Sequence, residues 1–149
     1  MKSYSAYTLI ELLIGLSIIA ITFSVGIAGY REFSRRQAIV GVQKQVNADL
    51  RLAQQLALSG QKPDGCTKLD GYEFNSILTG YEIKAFCTNS TTTTKTVNFS
   101  NNFTISAGNV IFKVLGQGTN LSSSLVYTLT EANSGTSVAV TVGVGGEIN

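Results

Sequence analysis

The sequence contains no histidine, no tryptophan and only two cysteines. Histidine is the commonest general base and the commonest metal ligand, so its absence excludes imidazole-based catalysis and His-based zinc sites. Two cysteines alone cannot complete a structural zinc shell. Of the nine acidic residues, the eight other than Glu11 show no motif spacing. We therefore predict that the chain is not an enzyme and that it has no catalytic residue, no metal site and no cofactor.

Charge is scarce and unevenly distributed. Charged residues make up 13% of the chain, against roughly 25% in an average globular domain. Residues 31–95 contain nine Lys/Arg and six Asp/Glu, whereas residues 96–149 contain one Lys and two Glu. The second half is therefore a nearly uncharged, β-prone sequence, and the net charge of +2 is too small to indicate a partner.

A long apolar run lies near the N-terminus. Residues 12–29 are uncharged, and at 1.5 Å per residue they span about 27 Å, close to the ~30 Å hydrocarbon core of a bilayer. A cleaved secretory signal and an ordinary membrane anchor are the alternatives, and residues 26–28 (GIA) would suit a signal peptidase. Glu11 disfavours a signal peptide, because an acidic residue at mid-membrane costs about 2.5–3.5 kcal/mol. The helical pattern also continues past the apolar run without a break.

Beyond the run, a stripe of apolar residues predicts an amphipathic helix packed on one face. The stripe recurs at three- and four-residue steps and consists of Ile39, Val42, Val46, Leu50, Ala53, Leu56 and Ala57. Ser59 and Gly60, followed by Pro63, supply a stop signal. We therefore predict one helix from about residue 8 to residue 59.

Residues 6–13 (AYTLIELL) resemble the class III signal of type IV prepilins and pseudopilins. In that family a short leader is removed before an aromatic residue, and a Glu follows four residues later. The resemblance implies that a prepilin peptidase removes residues 1–6 by cleaving between Ala6 and Tyr7. It also implies that the new amine of Tyr7 is N-methylated and that Glu11 pairs with the terminal amine of an adjacent subunit during assembly. A buried carboxylate is costly without a partner, so this pairing would select the axial register.

Two features depart from the family pattern. Ala6 stands where Gly is usual, although its small side chain should still fit. The family places the segment after the apolar run outside the cytoplasm, yet that segment begins with Arg31, Arg35 and Arg36, whereas the leader contains only Lys2. This distribution of positive charge conflicts with the positive-inside rule.

The remainder of the chain reads as strands separated by turns. Candidate strands cover residues 71–74, 81–86, 96–99, 110–114, 125–129 and 138–144, and the segment 116–118 (GQG) is a predicted turn. The four threonines at 91–94 predict an exposed loop. We expect an α+β fold in which one antiparallel sheet wraps against the C-terminal part of the long helix.

Cys66 and Cys87 are 21 residues apart. If this domain lies outside the cytoplasm, a disulfide is the simplest interpretation, worth ~3 kcal/mol by loop-closure arithmetic. Two buried thiols are the alternative.

Shorter stretches of the chain resemble the H-type minor pseudopilins (the GspH/FimT group). These stretches are residues 49–60, 71–72, 111–112 with Gly116, and 142–148. The resemblance implies a leader at 1–6, a transmembrane and filament-core helix at 7–30, its amphipathic continuation at 31–60, and a β-rich extracytoplasmic domain at 61–149.

The function implied is that of a structural, minor subunit of a type IV pilus or a type II secretion pseudopilus. Its partners would be other pilin or pseudopilin subunits, a prepilin peptidase, an assembly platform and the cytoplasmic membrane. It would cross that membrane once, with its N-terminus inside, and then enter an extracytoplasmic filament.

Two alternatives remain. A pilus-tip module for adhesion or DNA uptake would need Lys62, Lys68, Lys84 and Lys95 to converge, because phosphate neutralisation supplies most nonspecific affinity for DNA. A membrane-anchored domain that never polymerises would have no use for Glu11.

Overall fold

A computed structural model of the protein describes residues 7–100 and 102–149. It contains one helix and seven strands: α1 (Leu9–Ser59), β1 (Leu69–Ile77), β2 (Gly80–Cys87), β3 (Ser90–Asn98), β4 (Phe103–Ile105), β5 (Gly108–Lys113), β6 (Leu125–Glu131) and β7 (Ser137–Val142). A 3-10 turn at Val114–Gly116 follows β5. A first compact unit ends at Gln37, and a second comprises Ala38–Asn149. The α+β fold class predicted from the sequence is confirmed.

Helix α1 begins one residue later than predicted and ends at Ser59, as predicted. Gly60 terminates it by adopting a φ of 62°, a left-handed conformation that glycine adopts without steric cost. The Gly60 amide donates a hydrogen bond to the carbonyl of Ala57 at 3.2 Å. This bond closes the last turn of α1.

The amphipathic stripe of α1 packs into the core of the second unit. Five of its residues are at most 1% exposed, namely Ile39, Val46, Leu50, Ala53 and Ala57. Val42 and Leu56 pack partly buried against the same core. The three- and four-residue spacing therefore identified the buried face correctly.

The strands form two antiparallel sheets where the sequence predicted one. The first sheet has the order β3-β2-β1-β5, and the second has the order β4-β6-β7. The segment after β5 turns back along the outer edge of that strand: the Lys113 amide donates to the Gly118 carbonyl at 2.9 Å, and the Asn120 amide donates to the Ile111 carbonyl at 3.1 Å. Because this edge is occupied, the first sheet ends at β5, and β6 pairs with β4 and β7 instead.

Aromatic side chains join the two sheets. Phe74 of β1 stacks on Tyr81 of β2 with ring centroids 4.7 Å apart. Phe74 also meets Tyr127 of β6 edge to face at 5.4 Å. All three side chains are fully buried, so both sheets and the stripe of α1 share one core.

The loop predicted for the four threonines is wrong. Residues 91–94 lie within β3, which pairs with β2 from Ser90 to Asn98 with one bulge at Thr94. Threonine is β-branched and favours strands. At 91–94, however, both faces of the strand are exposed, so the sequence shows none of the alternation by which a half-buried strand is recognised. The three-residue strand β4 was also not predicted.

Candidate assembly site at the start of the long helix

Thr8 caps the N-terminus of α1. Its carbonyl accepts the first intrahelical bond from the Leu12 amide at 3.2 Å, and its Oγ1 accepts a hydrogen bond from the Glu11 amide at 3.3 Å. Thr and Glu three residues apart have the spacing of a capping box. This spacing was readable in the sequence and was missed there. It explains why the helix begins at Leu9.

Tyr7 and Glu11 lie on either side of this cap. Tyr7 immediately precedes Thr8, and its side chain is 79% exposed. Glu11 is the third residue of α1 and is also exposed. A carboxylate in the first turn interacts favourably with the helix dipole. Ala6 and the rest of the predicted leader, residues 1–6, lie outside the described residues.

The first part of α1 is apolar on every side. Leu12, Leu13 and Ile14 are each at least 55% exposed, although successive helical positions point about 100° apart. Large exposed apolar side chains continue as far as Phe33. A helix that is hydrophobic all round is buried in a large core or a membrane. The most apolar 18-residue window has a mean hydropathy of 2.3 and none of it is buried. By length and composition, α1 can cross a membrane.

The hydroxyl groups in the apolar run are satisfied within the helix. Ser17 donates to the Leu13 carbonyl at 2.8 Å, and Ser24 donates to the Ala20 carbonyl at 2.8 Å. Thr22 hydrogen bonds in the same way. Such bonds let hydroxyls enter hydrocarbon without an unpaired donor.

Glu11 differs from these hydroxyl residues. Within the part of the chain that the structure describes, its carboxylate takes part in no hydrogen bond and no salt bridge. A carboxylate that enters hydrocarbon or a bundle of apolar helices is costly unless it is paired with a cation.

The basic cluster that follows the apolar run is partly neutralised by its own helix. Arg36 Nε lies 3.0 Å from Glu32 Oε1, one turn earlier. Both side chains are exposed, so the pair contributes only about 0.3–0.5 kcal/mol. Arg31 and Arg35 extend the cluster towards the membrane-length segment.

In the second unit, Asp49 of α1 anchors the helix to two strands. Lys95 Nζ of β3 lies 2.7 Å from Asp49 Oδ1 and 2.8 Å from Oδ2. The hydroxyl of Tyr81 in β2 donates to Asp49 Oδ2 at 2.6 Å. Burial, together with the adjacent carboxylate, raises the pKa of Tyr81 well above its usual range. Sequence reasoning missed this cluster.

Two further lysines also pair with carboxylates of their own domain. Lys84 Nζ lies 2.6 Å from Glu82 Oε2, and Lys68 Nζ lies 3.2 Å from Asp70 Oδ1. Lys62 donates to the carbonyl of Thr67 at 3.4 Å. With Lys95 held by Asp49, three of the four lysines that DNA capture would require are already neutralised.

Cys66 and Cys87 are joined by a disulfide, with their Cα atoms 5.8 Å apart. Cys66 lies in the connection between α1 and β1, and Cys87 is the last residue of β2. The bond therefore fastens the connection after the long helix to the central part of the first sheet.

Comparison with known proteins bears on the N-terminal segment. Residues 1–27 match the protein-family model described as "Prokaryotic N-terminal methylation motif". No curated protein and no solved structure matches the chain. The family match covers the cap, Tyr7, Glu11 and most of the apolar run, so it supports the interpretation of this segment as a prepilin-type N-terminus and of the chain as a type IV pilin-like subunit.

Proposed function

We propose that this protein is a structural subunit, of the minor type, of a type IV pilus or a type II secretion pseudopilus. In this role residues 1–6 are removed, the new amine of Tyr7 is methylated, and the apolar half of α1 passes from the membrane into the core of a filament. Glu11 pairs there with the Tyr7 ammonium of a neighbouring subunit. The H-type minor pseudopilins are the proposed subgroup.

The observation that carries this proposal is a single exposed carboxylate, Glu11, in the otherwise apolar, membrane-length first part of α1. The hydroxyls of that segment hydrogen bond to their own helix, whereas Glu11 has an exposed side chain at the third helical position. Processing before Tyr7 would create an ammonium close to the same end of the helix. A charge of each sign near one helix end allows neighbouring copies to pair by a defined axial shift.

DNA capture is not favoured as a second function. Nonspecific DNA binding depends on lysines and arginines that can release counterions from phosphates. In the second unit Lys68, Lys84 and Lys95 are engaged by carboxylates. We therefore expect weak binding of the purified protein to duplex DNA.

Processing tests the proposal most directly. We expect the membrane-extracted protein to begin at Tyr7 and to carry one added methyl group, because the motif at residues 6–11 would direct both steps. Intact-mass measurement with N-terminal peptide sequencing provides the readout. A prepilin-peptidase-deficient host is the control, and there the chain should retain residues 1–6.

A different N-terminus would contradict the proposal. A mature chain that begins near Gly29 would indicate cleavage by signal peptidase after the apolar run. That result would contradict a pilin-like role, because the filament-forming helix would be lost.

A further inference from the structure

Among the residues that the structure describes, most outer strand edges of the two sheets are covered. The outer edge of β5 is occupied by residues 118–120, as described above. On β7, the Ala139 carbonyl accepts a hydrogen bond from Gln43 Nε2 at 2.9 Å, and Thr141 pairs with Asn149 through bonds of 2.8 Å and 3.0 Å. The short strand β4 is covered where the Ile105 amide donates to the Leu78 carbonyl at 3.2 Å.

Strand β3 is the exception among the described residues. It pairs with β2 on one side, and no backbone hydrogen bond from elsewhere in the described chain reaches its other side. Edge strands are normally protected by charge, proline, bulges or covering loops. β3 contains no proline, and its one charged residue, Lys95, points inward to Asp49 and so protects only the second half of the strand.

A bulge limits the open edge to its first half. The pairing register of β2 and β3 shifts between Ile83 and Lys84 of β2, so Thr94 of β3 is an extra residue that has no partner in β2. Residues 90–93 precede the bulge and pair in regular register with residues 84–87 of β2. All four of these β3 residues are exposed on both faces. They form a short, regular, uncharged edge of one serine and three threonines.

We propose that residues 91–93 pair antiparallel with the same residues of a second copy of this chain, with Thr92 facing its own copy at the dyad, extending the β3-β2-β1-β5 sheet across two molecules. The contact is isologous, so the same edge serves both copies. Like charges do not meet in it, because the edge is neutral and Lys95 is already ion-paired. Cross-strand Thr–Thr pairs add to the backbone hydrogen bonds.

A second copy fits this edge better than a foreign peptide. Strand addition by a peptide obtains its specificity from pockets that receive alternate side chains. Residues 90–94 are exposed on both faces of the strand, so these residues themselves enclose no pocket. Self-pairing needs none, since identical small β-branched side chains complement one another across the dyad.

Single-cysteine cross-linking tests the contact in the full-length protein. Both native cysteines are bonded to each other, so an introduced cysteine is the one free thiol. Thr91→Cys, Thr92→Cys and Thr93→Cys would be compared under mild oxidation in detergent micelles. Thr128→Cys is the matched control, because Thr128 is exposed and lies on β6 between two other strands.

We expect the best of the three β3 variants to give about tenfold more cross-linked dimer than Thr128→Cys. A tenfold ratio corresponds to a free-energy difference of about 1.4 kcal/mol between the two contacts. In that background, a second substitution of a neighbouring threonine to Lys should abolish the excess through like-charge repulsion across the dyad. The same substitution to Val should preserve it. An intact Cys66–Cys87 bond, checked by mass, verifies folding in every variant.

Equal cross-linking of the β3 and Thr128 variants would overturn the proposal, since association through the apolar helix would bring both sites together without preference. An excess that survives the Lys substitution would also overturn it. The measurement uses unassembled protein and does not depend on processing or polymerisation, so this inference and the proposed function fail independently.

Discussion

Asp49 fixes the position of the long helix relative to the strands through charge, in a region otherwise held by apolar contacts. Its side chain is 8% exposed, and that of its partner Lys95 is 39% exposed. Removing one partner of such a cluster leaves the other polar groups without a bond. The partial exposure of Lys95 allows water to replace part of what is lost.

We therefore predict that Asp49→Ala lowers the free energy of unfolding by about 1–3 kcal/mol. Urea unfolding of the full chain in detergent, followed by tyrosine fluorescence, gives the measurement. Glu82→Ala is the control, because it breaks a lysine–carboxylate pair that lies on one strand and does not reach α1. A loss from Asp49→Ala no greater than from the control would show that the cluster does not fasten the helix.

Glu131 predicts a dependence of stability on pH. This carboxylate is 3% exposed and accepts hydrogen bonds from the Asn133 amide at 3.2 Å and the Ser134 amide at 2.7 Å. The bonds from Ser134 lower the pKa of Glu131 below its ordinary 4.5. A lowered folded-state pKa contributes stability that is present above the unfolded-state pKa and is lost as the pH falls through the folded-state value.

We expect Glu131→Gln to be less stable than the wild type at pH 7 and to approach it as the pH falls below about 4. The readout is the difference between the urea midpoints of the two proteins at a series of pH values. The pH dependence of the wild-type stability alone would not isolate Glu131. The Thr88 hydroxyl also lowers the pKa of Asp70, so Asp70 adds a pH dependence of the same sign that is common to both proteins and cancels in the difference. A constant difference from pH 7 to low pH would contradict the assignment.

These two sites illustrate what the sequence could not predict at this scale. Asp49 and Lys95 are 46 residues apart, and neither belongs to a motif. Their pairing follows from the packing of α1 on β2 and β3, which is known only once the sheet is formed. Glu11, in contrast, was identified from the sequence because it interrupts an apolar run.

Among the larger elements, the disulfide connects the segment after α1 to the end of β2. Cross-linking residues 21 apart restricts the unfolded chain and contributes about 3 kcal/mol in the chain-entropy model. We predict that Cys66→Ser, paired with Cys87→Ser to avoid a free thiol, lowers the free energy of unfolding by about this amount.

Urea unfolding of the double variant and of the reduced wild type provides two measurements of the same quantity. Thiol alkylation of native protein without reductant should label neither Cys66 nor Cys87. Labelling of both would contradict the bond and would weaken the case for an exported domain.

The helix was predictable at both ends and on its buried face because capping residues, an apolar stripe and a glycine stop are local signals. The strands were predictable where one face is buried, as in β1, β2 and β5. Where both faces of a strand are exposed, as at residues 91–94, composition favoured a loop although backbone pairing with β2 produces a strand. The division into two sheets depended on residues 118–120 covering β5, which is a tertiary event.

At the scale of the whole molecule, the two compact units place different demands on their surroundings. The second unit, Ala38–Asn149, buries its own core and pairs three of its lysines with its own carboxylates. The first, which ends at Gln37, exposes apolar side chains all round as well as the carboxylates of Glu11 and Glu32. The second unit can fold around its own contacts, whereas the first requires a membrane or other helices. Changes at Glu11 should therefore affect assembly and leave folding of the second unit intact.

We predict that Glu11→Ala inserts into the membrane as well as the wild type or better, because an acidic group leaves the apolar segment, yet enters filaments poorly. A neighbour's Tyr7 ammonium would be buried without its counter-charge, a loss of several kcal/mol. The first-turn charge contributes only about 0.3–1 kcal/mol to α1 itself, so helix stability cannot account for a large assembly defect. Glu11→Gln should be intermediate, since it retains a hydrogen-bond acceptor and loses the ion pair.

Cross-linking into sheared surface filaments, normalised to membrane-bound protein, measures this effect. Ser17→Ala is the matched control, because the Ser17 hydroxyl is already satisfied by the Leu13 carbonyl and its removal should leave incorporation unchanged. If Glu11→Ala entered filaments at the wild-type level, Glu11 would not be an assembly contact. The protein would then be better described as a membrane-anchored domain that does not polymerise, and the favourable interaction of a first-turn carboxylate with the helix dipole would be the remaining role of Glu11.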